Sequence, residues 1–207
     1  GGGRRPVYLH TSPEFAMKKL LAAGMQRIFQ LARVFRDGER TARHHPEFTM
    51  LEWYRTGAGW RDIAEEAAAF VRASCGPVVQ RGDVQLGVGT ATVLHSYPAS
   101  LAALARLSPE DGRVSDRFEI FICGLELANG YGELTDAAEQ RRRFETMTQQ
   151  RVAEGRAPYP VDEDFLAALE SGIPDCAGIA LGFDRLVMLA AGAERIDDVL
   201  WAPVAGG

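Results

Sequence analysis

Carboxylates, arginines and a tyrosine recur in this sequence where they could grip a charged, phosphate-bearing substrate. Glu47 to Arg55 has strand character, and a period of two puts Phe48, Met50, Glu52 and Tyr54 on one face and Thr49, Leu51 and Trp53 on the other. An acid among apolar neighbours is costly to bury unpaired, so either Glu52 meets a partner or ligand, or the strand lies at an edge with Glu52 in water. Arg36 ends a preceding strand-like run, Arg27 to Arg36, and opens a loop carrying Asp37, Glu39, Arg40, Arg43, His44 and His45. A solvated charged turn would explain such a run, but a loop this long between two strands is commonly functional. Adjacent residues such as His44 and His45 seldom bind one metal ion together, so metal ligation by that pair is not expected.

Two further clusters lie downstream. Glu126, Asn129, Glu133 and Asp136 fall within or just after Gly-Leu-Glu-Leu-Ala-Asn-Gly-Tyr-Gly-Glu-Leu, and converging carboxylates suit Mg²⁺, which takes oxygen ligands and shares them with substrate phosphates. Strict alternation aims Asn129, Tyr131 and Glu133 one way and Glu126 the other, so a bulge or bend is needed to gather them; without one the segment is only a polar strand. Gly178-Ile-Ala-Leu-Gly-Phe-Asp-Arg185 combines small residues, past which a flat ligand could approach the backbone, with an arginine at a helix start. A lone glycine repeat of this kind is weak evidence for a nucleotide site, and it lacks the Gly-Lys-Ser/Thr of a phosphate loop.

The elements that must position these groups can be outlined from patterning. Val7 to His10 reads as a strand end, and Ser12-Pro13-Glu14 opens a helix with Ser12 as N-cap and Pro13 at the first helical position, closed by Gly24. The runs Arg27 to Arg36 and Glu47 to Arg55 form an antiparallel hairpin around the charged loop. Trp60 to Ser74 is an Ala-rich helix, followed by Gly/Pro/Val-rich sequence and a short strand at Thr92 to Ser96. Arg117 to Cys123 and Leu125 to Tyr131 are strands, Thr135 to Glu154 and Asp164 to Leu169 helices, and Cys176 to Phe183 a strand running into a helix at Asp184 to Ala191. Strands clustered with flanking helices imply an α+β fold with a largely antiparallel sheet.

Composition sets the outer bounds. At 207 residues, with 46% apolar and 25% charged residues, the chain is ordinary globular sequence, one large domain over residues 1–207. Apolar stretches such as Ile179 to Leu181 and Leu186 to Ala191 are broken by Gly182, Asp184 and Arg185, so no membrane span is expected, nor a signal peptide. A net charge of -5 argues against a protein held to nucleic acid mainly by phosphate neutralisation. Cys75, Cys123 and Cys176 are too few and too scattered for a disulfide framework or zinc knuckle, which fits a reducing cytoplasm. Lys18 and Lys19 are the only lysines; the arginine bias reads as compositional drift.

In order along the chain, Thr-Ser-Pro-Glu at 11–14, Val-Phe-Arg at 34–36, His-Pro-Glu-Phe-Thr-Met-Leu-Glu-Trp-Tyr at 45–54, Glu126 to Leu134 and Gly178 to Arg185 resemble the catalytic core of class II aminoacyl-tRNA synthetases, in the lysyl branch. Within that branch the sequence is most similar to the stand-alone ligases that attach (R)-β-lysine to a lysine of elongation factor P. Those ligases carry alanine where lysyl-tRNA synthetase has glycine in the last motif, matched here by Ala180, and one methyl group can change amino-acid preference.

The resemblance implies ATP and Mg²⁺ as cofactors, β-lysine or lysine as substrate, elongation factor P as acceptor, a homodimer, and no stable tRNA binding. It makes Arg36 the arginine bridging substrate carboxylate and α-phosphate, with Arg185 its catalytic partner, and has Phe48 and Arg185 sandwich adenine. Glu39 and His44 fall in the ATP site. Ser12 and Glu14 meet the proximal amine, Glu52, Tyr54 and Glu133 the distal ammonium, and Asn129 the carboxylate end. Glu126 and Glu133 hold Mg²⁺, and Glu126 also faces ATP. The sequence departs from the family's pattern at Asp37-Gly38-Glu39, where the acid stands one place late, and at His45, where asparagine is usual. The family's motif 1 has no counterpart, and its stretch between the Trp60 helix and the Thr92 strand is longer, so a longer parent chain is expected. Alternatives are activation of α-lysine or another amino acid for a different acceptor, and a non-catalytic paralogue serving as a binding or regulatory module.

Overall fold

A computed structural model describes residues 7–75 and 91–204. The Gly/Pro/Val-rich segment read above at 76–90 lies outside the described residues. The elements run α1 (Glu14–Ala22), β1 (Arg27–Phe35), β2 (Glu47–Thr56), α2 (Trp60–Cys75), β3 (Thr92–His95), β4 (Arg117–Ile122), β5 (Leu125–Gly132), α3 (Ala137–Ala153), α4 (Glu163–Glu170), β6 (Cys176–Gly182) and α5 (Phe183–Ala191). The six strands form one sheet in the order β1-β2-β6-β5-β4-β3, with antiparallel neighbours throughout. The architecture is α+β.

Helix α2 turns Ile63, Ala67 and Val71, four residues apart, onto one sheet face, where they pack with Ile120, Leu127, Ile179 and Leu181. A second core, built from Met17 and Leu21 of α1, Phe144 of α3 and Phe165 and Leu166 of α4, closes over Tyr54 and Cys176. Asp136 and Asp162 start α3 and α4 by accepting from the backbone N–H of Glu139 and Phe165. The Asp136 cap begins α3 later than the expected Thr135.

Two expectations near the start need correction. Residues 7–10 form no strand; their tie to the sheet is the carbonyl of His10, which accepts from the N–H of Phe35. Pro13, not Ser12, holds the N-cap of α1, yet the Ser12 hydroxyl still accepts from the N–H of Glu14 at 2.9 Å.

Register then decides which side chains share a face. Glu52 stands opposite Ala180, Ala180 opposite Asn129, and Asn129 opposite Glu119, so one row crosses β2, β6, β5 and β4. The next row aligns Tyr54, Gly178, Tyr131 and Arg117. The alternate row of Leu51, Leu181, Ala128 and Ile120 faces α2. Cys123 and Gly124, with φ of 50° and 69°, make the tight turn between β4 and β5, as a two-residue hairpin with right-handed twist requires. Just beyond it the register shifts: Phe121 pairs with Glu126 and Ile120 with Ala128, leaving Leu127 as the extra residue of a bulge.

Gly178 has a steric reason to lack a side chain, since a Cβ there would lie 2.2 Å from the Tyr54 ring. Tyr54 is itself buried and cannot swing away. Gly178→Ala is expected to lower unfolding stability by about 1–3 kcal/mol, read from the urea midpoint; an unchanged midpoint would mean that the ring relaxes freely.

Candidate active site

The polar rows floor a cavity of about 160 Å³. At one end it is lined by Ser12, Glu14, Glu52, Asn129, Tyr131 and Ala180, and at the other by Arg36, Glu39, His44, Phe48, Glu126 and Arg185. Of the residues expected in the site, only Tyr54 and Glu133 do not line the cavity; they lie behind its wall. A larger, apolar hollow of about 490 Å³ between β1, β2 and α2 is lined chiefly by Ile28, Phe29, Leu51, Trp53 and Phe70 and carries no comparable cluster of ionisable groups.

β2 is an interior strand, so Glu52 is not an edge residue in water: it is fully buried. Its Oε1 accepts from the Ser12 hydroxyl at 2.6 Å and its Oε2 from the Tyr54 hydroxyl at 3.2 Å. Burial dominates these hydrogen bonds and pushes the carboxyl up to about 7, with the Glu14 charge adding to the rise. Tyr54 is likewise held well above an ordinary phenol by burial and by the acids around it. Behind Glu52 lies a group invisible to the motif reading. Lys18 of α1 is buried, with Nζ 2.5 Å from Oε1 of Glu14 and 2.6 Å from Oε2 of Glu133. Burial alone would lower this ammonium, but Glu133 and Glu14 outweigh it and hold it above an ordinary lysine. Glu133 is raised by its burial despite the lysine, and both its oxygens are buried without a hydrogen-bond partner, as is Oδ1 of Asn129.

The opposite end is cationic. Arg36 leaves β1 with its N–H on the carbonyl of Pro46 and its guanidinium 5.2 Å from the centre of the Phe48 ring. Arg185 is set by the residue before it: buried Asp184 accepts from the N–H of Thr49 at 2.6 Å and ties the start of α5 to β2. The Arg185 side chain then donates to the carbonyl of Glu126 at 2.7 Å and to that of Arg43 at 3.3 Å. Phe48 and Arg185 thus share the cavity, while the cation on the Phe48 ring is Arg36. His44 is lowered by partial burial and then by Arg185, and its Nδ1 lies 2.7 Å from the Thr41 hydroxyl. His45 is buried and structural: its Nδ1 meets the Glu47 carbonyl at 2.6 Å and its Nε2 accepts from the N–H of Val204 at 2.9 Å.

The bulge at Leu127, not a glycine, brings Glu126 to the cavity that also takes Asn129 and Tyr131. It does not bring Glu126 to Glu133. The charges acting on Glu126 are Glu119, Arg185, Arg117 and Arg36, whereas Glu133 answers to Lys18, Glu14 and Glu52. The carboxylate beside Glu126 is Glu119, buried, and bonded at 2.6 Å to both the Tyr97 hydroxyl and the Arg117 guanidinium. Burial and Glu119 together raise Glu126. Two neighbouring carboxylates at the cationic end match the donor set of Mg²⁺, which takes one or two carboxylates and completes its shell from phosphates and water. Among the described residues no group of three or more His, Cys, Asp or Glu could hold a metal by itself.

A model of the class II tRNA synthetases (D, K and N) matches residues 3–88 and 87–205. The chain belongs to that family. It is 41% identical over 252 residues to a protein of Proteus mirabilis (strain HI4320) named elongation factor P--(R)-beta-lysine ligase, covering 96% of this chain and 78% of that one. Proteins of the same name from Klebsiella pneumoniae (strain 342) and Vibrio atlanticus (strain LGP32) are 40% and 38% identical, covering 94% and 96% of this chain and 76% and 78% of theirs. The Proteus alignment runs 252 positions against a chain of 207, so at least 45 positions stand opposite gaps in this sequence. The two matched pieces of the family model meet at 87–88, between α2 and β3, where the resemblance implied a longer stretch.

Glu52 gives the site a pH signature. With its carboxyl pushed up to about 7 from an ordinary 4.5, the folded chain keeps a proton that the unfolded chain has lost, so its ionisation costs stability as pH climbs through that window. Glu52→Gln removes the cost. Compared by urea unfolding at about pH 5 and about pH 8, the stability difference is expected to move in the variant's favour by roughly 1–3 kcal/mol; a difference independent of pH would contradict the raised carboxyl.

Proposed function

We propose that this chain activates (R)-β-lysine with ATP as an aminoacyl adenylate and transfers the β-lysyl group to a lysine of elongation factor P, in the cytoplasm. The observation that carries the reading is one cavity with opposed ends: a buried acidic end around Glu14 and Glu52, suited to two ammonium groups, and a cationic end of Arg36 and Arg185, suited to a triphosphate. The names of the relatives give that chemistry its substrate and acceptor.

In the first half-reaction a substrate carboxylate oxygen attacks the α-phosphorus, the α–β phosphoanhydride bond breaks and pyrophosphate leaves. The nucleophile is already an anion, so the chain supplies alignment and charge stabilisation, not a general base. Arg36 bridges the carboxylate and the α-phosphate, and Arg185, with Phe48, Glu39 and His44, borders the nucleotide. Mg²⁺, held by Glu126 with Glu119, would neutralise phosphate charge. Glu14 and Ser12 meet the proximal amine, Glu52, backed by Tyr54 and Glu133 behind the wall, the distal ammonium, and Asn129 the carboxylate end. In the second half-reaction the acceptor lysine's neutral amine attacks the acyl carbon, the bond from that carbon to the phosphate oxygen breaks, AMP departs and the amine's proton passes to water. A homodimer working without stable tRNA binding completes the reading, and the exposed apolar side chains of Phe29 and Leu31 on edge strand β1 suit an interface.

Activation of α-lysine is the second reading, and Ala180 is what separates the two: it stands between Glu52 and Asn129 in the floor, where a methyl group shortens the space for the α-substituent. Pyrophosphate exchange with (R)-β-lysine and α-lysine in parallel tests both, with β-lysine expected to be preferred and Ala180→Gly to shift preference toward α-lysine. A preference for α-lysine in the unaltered chain would overturn the first reading. Arg36→Ala is expected to slow exchange by about 100-fold or more; near-normal turnover would remove Arg36 from the chemistry.

A further inference from the structure

Lys18 is one of only two lysines in a chain otherwise rich in arginine, and it is buried. Its ammonium is enclosed, with Glu14 and Glu133 at 2.5 and 2.6 Å and the Phe165 ring centre 5.9 Å away. A compact point charge fits between two carboxylate oxygens where a planar guanidinium would force them apart. Lys18 takes Oε1 of Glu14, which leaves Oε2 of this cavity-lining residue for a substrate ammonium. Glu133 stands behind the wall: its Oε2 pairs with the Lys18 ammonium at 2.6 Å, although neither of its buried oxygens has a hydrogen-bond partner.

We propose that Lys18 is a positioning and specificity residue: a resident ammonium that ties Glu14 back to Glu133 and so sets the separation of Glu14 from Glu52, the two cavity-lining acids offered to the nitrogens of a diamino acid. The proposal rests on the ligase reading above and deepens it by naming what fixes the spacing in the amine pocket. Lys18 touches neither the substrate nor the reacting atoms; it acts through the two glutamates.

Lys18→Met keeps the length of the side chain and deletes its charge. In pyrophosphate exchange the KM for (R)-β-lysine is expected to rise about 10- to 100-fold, the worth of one charge-assisted hydrogen bond, while the KM for ATP stays put. A merely structural role would move both or neither. Lys18→Arg keeps the charge but widens the gap, so it is expected to recover thermal stability without recovering the amino-acid KM; recovery of both would show that charge alone matters and overturn the proposal. A measurement on the unaltered protein guards against misfolded variants. With only two lysines, selective ¹⁵Nζ labelling gives two side-chain signals, and the Lys18 signal is expected to shift on addition of (R)-β-lysine while the Lys19 signal does not. An unmoved Lys18 signal, or a Lys18→Met variant with ordinary amino-acid KM, overturns the proposal alone. Absence of exchange by the unaltered chain with either lysine isomer overturns the ligase reading and the proposal with it.

Discussion

An antiparallel ladder fixes which residues stand side by side, and one row of this ladder is the floor of the site. Glu52, Ala180, Asn129 and Glu119 are neighbours because β2, β6, β5 and β4 pair in a single register, and the row works because its β6 member is small. Side chains on the flanking strands rise on either side of Gly178 and Ala180 and leave a trough between them. A slip of β2 by one residue against β6 would put Leu51 in the trough beside Ala180 and turn the acid toward the α2 core. Burial of Leu51, Leu181 and Ile179 against α2 is thus also what holds the polar face in place.

The two ends of the trough solve opposite electrostatic problems. At the acidic end, Glu14 and Glu133 are paired with an ammonium supplied by the chain itself. At the cationic end, the Arg185 guanidinium is held by carbonyl oxygens of Glu126 and Arg43 rather than by acids, so its charge is oriented without being cancelled. Asp184, itself in the cavity wall, fastens the helix that presents Arg185 to the strand that presents Phe48.

Much of this was legible in the sequence because it depends on local periodicity. The alternation in Phe48–Tyr54 gave the face of Glu52 and Tyr54 directly, and the breaks at Asp37–Pro46 and at Gly182 bounded the hairpin and the final strand–helix unit. What escaped were relations between segments distant along the chain. Lys18 sits in an ordinary amphipathic helix, and nothing local says that Glu133 meets it. Glu119 alternates with apolar residues in Arg117–Ile122 much as Glu52 does in its own strand, so the same argument could have raised it; only pairing β4 to β5 sets it beside Glu126. The resemblance implied one ion for Glu126 and Glu133, but the end of β5 separates them, turning one to the cavity and the other to α1.

The extra residue at Leu127 makes the two sides of this sheet unequal in their tolerance of length. The Proteus relative's alignment leaves at least 45 positions opposite gaps in this chain, and a change of that size in a connection between elements need not disturb a ladder. In β5, shortening by a single residue at the bulge would restore perfect alternation and swing Glu126 to the wrong side, leaving the strand better formed and the nucleotide end without its acid. Length variation in such a fold is therefore counted in odd and even rather than in amount.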